Sequence, residues 1–268
     1  MDCVVELIEA GKTFGYSENG SVVKAVTGVT LSVKKGEFLS IIGPSGCGKS
    51  TLLRIIAGLI PEYEGEVRVN GARISAPHPQ VGMVFQEDAT FPWRTALENV
   101  AFGLEMLNVA REERIRRCKK ILDLVGLTGF EDRYPAELSG GMKQRVAIAR
   151  SLILEPQILL MDEPFGALDE QTRIILGEQL MQIQDKLRQT IIFITHSIQE
   201  AVQLSDRVAV MTARPGRIKD VMAVNLPRPR SSEVIASDGF AKIVARVWSM
   251  LREESLKGFQ LYSGIAER

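Results

Sequence analysis

The stretch GPSGCGKS, residues 43–50, follows the pattern G-x-x-x-x-G-K-[ST] at every fixed position. The strand-like run Glu37–Ile42 precedes it and the apolar-periodic TLLRIIAGL follows it, which predicts a strand, a glycine-rich loop and a helix. Such a loop turns its backbone N–H groups toward phosphate oxygens, and the helix dipole adds to that attraction. Lys49 is expected to reach the β- and γ-phosphates, and the Ser50 hydroxyl to ligate Mg²⁺. The predicted nucleotide-contacting residues here are Gly43, Pro44, Ser45, Gly46, Cys47, Gly48, Lys49, Ser50 and Thr51.

Cys47 has two interpretations. It lies beside Lys49 and a predicted helix N-terminus, surroundings that stabilise a thiolate and would make alkylation of Cys47 block nucleotide binding. The alternative is a small residue at a permissive position of the loop. We favour the second interpretation.

The stretch ILLMDEP, residues 158–164, is an apolar strand that ends in two carboxylates. Asp162 at the strand tip is suited to hold Mg²⁺ through its water shell. Glu163 can orient or deprotonate an attacking water. An isolated pair of this kind would be an acidic turn, but the phosphate loop upstream favours a catalytic role.

The stretch LSGGMKQR, residues 138–145, is followed by the helical VAIARSLIL and resembles the signature of ABC transporter ATP-binding subunits. The resemblance covers roughly residues 4–225. It implies an α/β fold: a P-loop NTPase (ABC ATPase) core with an N-terminal antiparallel β subdomain and an inserted helical signature subdomain. Ser139, Gly140 and Gly141 stand at a helix start and form a second anion-binding device. In the family this device closes over the ATP of another subunit, so the resemblance implies a homodimer held through ATP.

The resemblance assigns roles to four further residues. Gln86, in VGMVFQ, is similar to the glutamine that ligates Mg²⁺ and senses the transmembrane partner, and Asp169, in GALDE, to the aspartate that links the two sites. His196, after IIFIT, is similar to the histidine that contacts the γ-phosphate. Phe14 stands where the family stacks an aromatic ring on adenine, although Tyr16 is an alternative.

The stretch FPWRTALENV, residues 91–100, is the region that receives a membrane subunit in the family. Phe91 and Trp93 are either an exposed apolar anchor for that subunit or part of the local core. The sequences of this stretch, of the signature and of DEPFGALDEQTR are most similar to those of importers of nitrate, sulfonates, taurine and related small ions. The expected partners are transmembrane permease subunits and, indirectly, a solute-binding protein.

The order of predicted elements suggests two domains. We expect an ATP-binding domain at 1–228, with a helical subdomain at about 88–155, and a C-terminal helical extension at 229–268. Strands are predicted at Val4–Ile8, Val22–Val26, Thr30–Val33 and Glu66–Val69, and later strands alternate with helices. The terminal helix is predicted over Val234–Glu253.

Composition narrows the partners. Lys plus Arg and Asp plus Glu both number 33, so no bulk charge attracts nucleic acid, and none is expected as a partner. Three cysteines without paired spacing, no visible secretory signal and no apolar run near the ~20 residues of a spanning helix indicate a cytoplasmic protein. The family places it peripherally on the inner face of the membrane. A soluble ABC ATPase that serves the assembly of another complex is the alternative function.

One basic segment remains open. It is interpreted as a solvated face, with contact to anionic lipid headgroups as the alternative, and its residues are Arg214, Arg217, Lys219, Arg228 and Arg230.

Overall fold

The computed structural model describes residues 3–15, 22–86, 89–166 and 168–263, with side chains as far as residue 258. The elements, in chain order, are β1 (Cys3–Gly15), β2 (Val22–Lys34), β3 (Phe38–Ile42), α1 (Lys49–Ile56), β4 (Glu64–Val69), β5 (Ala72–Arg73), β6 (Val81–Val84), α2 (Ala96–Met106), α3 (Arg111–Leu124), a short 3₁₀ helix (Pro135–Glu137), α4 (Gly140–Leu152), β7 (Ile158–Asp162), α5 (Glu170–Leu187), β8 (Thr190–Ile194), α6 (Ile198–Leu204), β9 (Arg207–Met211), β10 (Ile218–Ala223), α7 (Ser232–Ile235) and α8 (Asp238–Ser263). They divide into two compact units, Met1–His78 with Thr190–Arg268, and Pro79–Gln189.

The first unit contains an antiparallel sheet of strand order β2-β1-β4-β5. The two strands predicted at Val22–Val26 and Thr30–Val33 are one strand, β2. The strand continues because its register with β1 shifts at several points and Gly28 adopts a positive φ of 58°, so bulges absorb the irregular residues.

The first unit also contains the strands β10-β9-β3-β8 in that order. Strand β3 pairs in parallel with both β8 and β9, and all five of its residues are buried. Strands covered on both faces read as continuous apolar runs, which is why FLSII was recognisable. Strand β10 was not predicted; it pairs antiparallel with β9, and its residues are mostly half-buried without a clear alternation.

Several apolar side chains of the C-terminal extension belong to the core of the first unit. Phe240 and Val247 of α8 cluster with Ile42, Ala201 and Val208. The predicted terminal helix is broken, because Ser237 ends α7 and starts α8: its hydroxyl donates to the Val234 carbonyl and accepts from the Phe240 N–H.

Two of the five residues in the basic segment, Arg214 and Arg217, are exposed, and the other three are held by partners within the first unit. Arg230 is buried and donates to three backbone carbonyls, Arg228 pairs with Asp206, and Lys219 pairs with Glu253 and Glu254. Burial lowers the pKa of Arg230 to about 10, so the residue stays charged at neutral pH. Arg230, Arg228 and Lys219 therefore make hydrogen bonds and ion pairs within the first unit, so they are no longer candidates for lipid contact.

The second unit contains the parallel pair β6–β7 and the helices α2 to α5. Helix α2 begins with a capping box, in which the Thr95 hydroxyl accepts from the Glu98 N–H and the Glu98 carboxylate accepts from the Thr95 N–H. The buried Asn99 amide donates to the carbonyls of Phe91, Arg94 and Thr95. One polar side chain therefore fixes the turn before the helix.

No helix in the described part of the chain combines the length and the apolar character needed to cross a membrane.

Candidate nucleotide-binding site

The phosphate loop joins the carboxyl end of the buried strand β3 to α1. Its tight path depends on glycine at two positions. Gly48 precedes the helix with φ 107°, and a Cβ there would lie 2.5 Å from Cγ1 of Val26. A Cβ on Gly43 would lie 2.9 Å from the Cys47 sulfur. Strand, loop and helix stand where the sequence predicted them.

Lys49 is buried in the first turn of α1 and folds back onto its own loop. Its Nζ donates to the Gly43 carbonyl at 3.0 Å and to the Pro44 carbonyl at 3.2 Å. A buried ammonium needs acceptors, and anionic phosphate oxygens are stronger acceptors than these carbonyls. Ser50 and Thr51 are half-buried in the same turn, while Ser45 and Gly46 are exposed.

Cys47 does not have the surroundings of a reactive thiolate. The residue is buried, and that burial raises the pKa of its thiol despite the opposing charges of Lys49 and Arg214. The backbone N–H of Cys47 donates to the Pro44 carbonyl at 3.3 Å. The thiolate interpretation is therefore wrong, and the small-residue interpretation agrees with the tight contact at Gly43.

His196 emerges at the same sheet edge as the phosphate loop. Strands β3 and β8 are parallel, and Ile41 is paired with Ile194, so the residues after each strand leave the sheet on the same side. Thr195 is buried and accepts from the Ser197 N–H, and Ser197 caps α6. His196 is exposed between them.

Phe14 lies near the end of β1, 36% exposed, with the Lys12 ammonium 5.4 Å from its ring centroid. An exposed ring on a strand is compatible with stacking on a base. The competing candidate, Tyr16, lies outside the described residues.

The second unit holds the acidic strand end and Gln86. Asp162 is the buried last residue of β7, and Glu163 follows it in the left-handed region with φ 48°. Few residues other than glycine adopt this conformation, and such residues cluster at functional sites. Strands β6 and β7 are parallel with Val84 paired to Met161, so the exposed Gln86 leaves the sheet at the same edge as the two carboxyl groups.

The signature stretch forms an exposed helix start in the second unit. The Ser139 hydroxyl caps α4 by accepting from the Met142 N–H at 3.3 Å. Gly140 is exposed, whereas a Cβ on the buried Gly141 would lie 2.9 Å from Cγ2 of Thr172. A capped, glycine-lined N-terminus of a 13-residue helix is suited to bind an anion.

Asp169 caps α5 by accepting from both the N–H and the hydroxyl of Thr172, and these bonds lower the pKa of its carboxyl group. The predicted site residues are divided between the two units. The first unit holds the phosphate loop, Phe14 and His196, and the second holds Gln86, Asp162, Glu163, Asp169 and the signature.

Sequence reasoning did not assign Arg214 to the site. Arg214 donates to the Gly46 carbonyl from a loop 168 residues further along the chain.

Comparisons with known proteins agree on one family. The profile described as ABC transporter matches residues 26–166. An uncharacterized ABC transporter ATP-binding protein of Methanocaldococcus jannaschii is 51% identical over 245 residues, 91% of each chain. An aliphatic sulfonates import ATP-binding protein of Bacillus cereus is 46% identical over 232 residues, 87% of this chain and 90% of the relative. A dimeric ATP-binding cassette, solved in a post-hydrolysis state with ADP and Pi, superposes with a TM-score of 0.73 and 34% identity, covering 82% of this chain and 98% of its own.

The chain therefore belongs to the ABC transporter family, as an ATP-binding subunit with the predicted α/β cassette fold. More particularly, it is an ABC-type ATP hydrolase, and ATP is its nucleotide.

Proposed function

We propose that this ATPase energises the import of a small organic or inorganic anion, such as a sulfonate, taurine or nitrate, through a separate membrane permease. The import role and the substrate class are supported by relatives whose names describe import of aliphatic sulfonates, at 44–46% identity. The protein would then work in the cytoplasm at the inner face of the membrane, and a solute-binding protein would deliver the anion to the permease.

The observation that carries the coupling to a permease is the exposed indole of Trp93, which is 71% exposed. The turn that presents Trp93 is held by several contacts. Phe91 stacks edge-on against Phe102 at 4.8 Å, the Arg94 and Arg150 guanidinium groups lie over its ring, and Asn99 binds the turn's carbonyls. A large, exposed apolar side chain on a turn held by such contacts is typical of an interface anchor.

In the proposed cycle two copies close over two ATP molecules. Each copy offers one phosphate loop and one signature stretch, so the Ser139–Gly141 segment of one subunit would contact the nucleotide bound by the other. The dimeric cassette found among the solved structures supports this arrangement. Binding drives closure because nucleotide contacts both subunits only in the closed form.

In the proposed hydrolysis Lys49 binds the phosphates, Phe14 stacks on adenine, and Glu163 orients and deprotonates the attacking water. His196 contacts the γ-phosphate, and Asp169 links the two sites. Ser50, Gln86 and Asp162 would hold Mg²⁺; their hydroxyl, amide and carboxylate oxygens are the donors that this ion prefers. When bound, Mg²⁺ neutralises charge on the β- and γ-phosphate oxygens.

The experiment is mass spectrometry of the proteins that co-purify with the tagged chain from membranes in mild detergent. We compare the unchanged chain with Trp93→Ala and with Trp248→Ala, which removes a second indole, 56% exposed, on α8. A polytopic membrane protein should accompany the unchanged chain and Trp248→Ala and be depleted about tenfold or more with Trp93→Ala.

Equal recovery of the membrane protein with both variants would remove Trp93 from the interface. A reproducible soluble partner without any membrane protein would contradict transport and favour an assembly ATPase. Once a permease is found, its solute-binding protein can be assayed directly with sulfonates, taurine and nitrate.

A further inference from the structure

The loop TARPGR, residues 212–217, follows β9 and touches the phosphate loop at two points. Arg214 donates to the Gly46 carbonyl from Nε at 3.0 Å and from Nη2 at 2.8 Å. Gly216 approaches so closely that a Cβ would lie 2.1 Å from the Cys47 carbonyl oxygen. No side chain fits between the two loops there, so residue 216 has to be glycine.

The contact from Arg214 constrains the backbone of the phosphate loop. A trans peptide is planar, so the Gly46 carbonyl and the Cys47 N–H point in opposite directions. Fixing the carbonyl therefore fixes the direction of the N–H, which donates to the Pro44 carbonyl at 3.3 Å inside the phosphate loop. A guanidinium that donates two hydrogen bonds to one carbonyl holds that peptide more firmly than a single donor would.

The 212–217 loop is itself held in place by short-range bonds. The Thr212 hydroxyl accepts from the Arg217 N–H at 3.0 Å, and the Thr212 N–H donates to the Arg217 carbonyl at 2.9 Å. The Gly216 N–H donates to the Ala25 carbonyl, and its own carbonyl accepts from the Thr27 N–H. The base of the loop is therefore closed on itself and attached to β2.

A third attachment comes from the C-terminal helix. Glu254 of α8 accepts from the Ala213 N–H at 3.1 Å, one residue before Arg214. Glu254 is buried and pairs with Lys219 at 2.7 Å and Lys257 at 3.0 Å. Burial opposes ionisation of this carboxyl group, but the hydrogen bonds from both lysines and from Ala213 outweigh it and lower its pKa.

We propose that Arg214 is a positioning residue for the phosphate loop, and that Glu254 of the C-terminal helix acts through it by holding the 212–217 loop. The extension would then contribute to nucleotide affinity without touching the nucleotide. The proposal rests on the proposed role of residues 43–51 in binding phosphate.

The experiment measures the dissociation constant of ADP, and KM and kcat for Mg-ATP, in variants of the full chain. Arg214→Ala should raise the ADP dissociation constant and KM about tenfold, with kcat changed less than about threefold, since a charged hydrogen bond to the loop is lost while the catalytic groups remain. Arg214→Lys should recover part of the ADP affinity, because lysine keeps the positive charge but cannot donate two hydrogen bonds to the Gly46 carbonyl in the geometry of a guanidinium. Glu254→Gln should weaken ADP binding about threefold in the same direction.

Arg217→Ala is the matched control, because it removes an exposed arginine from the same loop. It should leave ADP affinity within about twofold of the unchanged chain. An effect equal to that of Arg214→Ala would show a general effect of charge and overturn the proposal. Should Arg214→Ala not fold, Arg214→Lys and Glu254→Gln decide: unchanged ADP affinity in both would overturn it.

Lys49→Ala distinguishes a failure of the proposed role of Arg214 from a failure of the proposed phosphate loop. If Lys49→Ala loses nucleotide binding and Arg214→Ala does not, only the role of Arg214 fails. If Lys49→Ala binds ADP normally, the assignment of the phosphate loop itself fails.

Discussion

The guanidinium of Arg230 donates a 2.7 Å hydrogen bond to the carbonyl oxygen of Ser205, the residue that follows α6. The same side chain donates to the Gln203 carbonyl at 2.9 Å and to the Val224 carbonyl at 3.1 Å. A single buried cation from the C-terminal extension therefore satisfies the end of one helix and the residue after one strand. The C-terminal extension therefore contributes both apolar side chains and hydrogen bonds to the interior of the first unit.

Arg230→Ala is expected to destabilise the protein by roughly 2–4 kcal/mol, because three carbonyls lose a charged donor and a void remains. Urea unfolding at neutral pH measures the change. Arg246→Ala, an exposed arginine on α8 that is 3.6 Å from Asp220, is the control and should cost about 0.5 kcal/mol or less. Equal losses in the two variants would show that the Arg230 bonds contribute no more than a surface pair.

Glu163→Gln is expected to keep ATP binding and lose hydrolysis by about a hundredfold or more, because the amide cannot accept the proton of the attacking water. Size-exclusion chromatography should then show a dimer with ATP that does not form with ADP. Glu112→Gln, on the exposed face of α3, should leave the rate unchanged. A Glu163→Gln protein that stays monomeric at saturating ATP would contradict the proposed closed dimer.

The three thiols are expected to differ in reactivity. Cys47 and Cys118 are buried, and burial raises the pKa of both thiols, that of Cys118 to about 11. Iodoacetamide at neutral pH should label the half-buried Cys3 first and leave ADP binding intact. Peptide mass spectrometry over time gives the three rates, and fast modification of Cys47 in the folded protein would disprove this ordering.

The anchoring of α8 is expected to weaken in acid. Glu253 pairs with Lys219 at 2.6 Å and Lys257 at 2.7 Å, and these partners lower its pKa from 4.5 to about 2. A carboxyl group with a depressed pKa in the folded state stabilises the protein above its unfolded pKa and loses that contribution as the pH falls. The difference in stability between the unchanged chain and Glu253→Gln should therefore shrink from about pH 4.5 to about pH 2.

Stability at each pH is measured by urea unfolding at constant, low ionic strength. Because Glu253 and Lys257 are exposed to solvent, added salt should reduce the difference in stability between the unchanged chain and Glu253→Gln at neutral pH. A difference that stays constant between pH 4.5 and 2 would show that Glu253 contributes no ionic interaction.

Much of the fold was predictable because its signals are local. Buried parallel strands such as FLSII and ILLMD are uninterrupted apolar runs, and the helices show three- and four-residue apolar spacing. The phosphate loop was recognisable because its glycines, lysine and hydroxyl stand at the set intervals that phosphate binding requires. The signature was recognisable because LSGGMKQR resembles that of ABC transporter ATP-binding subunits. The predicted family and nucleotide follow from the resemblance of these motifs to those of ABC transporter ATP-binding subunits, and the comparisons confirm them.

The failures concern contacts between residues far apart in the chain. From sequence alone the basic segment had the composition of a solvated surface. Cys47 had two open interpretations, of which the small-residue one was favoured. Only the fold decides that Arg230 meets three carbonyls, or that burial outweighs the charge of Lys49. Desolvation depends on what surrounds a group in space, and sequence neighbours supply only part of that.

The sequence by itself therefore determined the class of protein, its nucleotide and the residue types that the chemistry requires. The tertiary structure excluded Trp93 from the local core, and it revealed that Arg214 reaches Gly46 from a loop 168 residues away. The physical reason is that binding motifs consist of residues close together in the sequence, whereas exposure, burial and long-range hydrogen bonds exist only once the chain has folded.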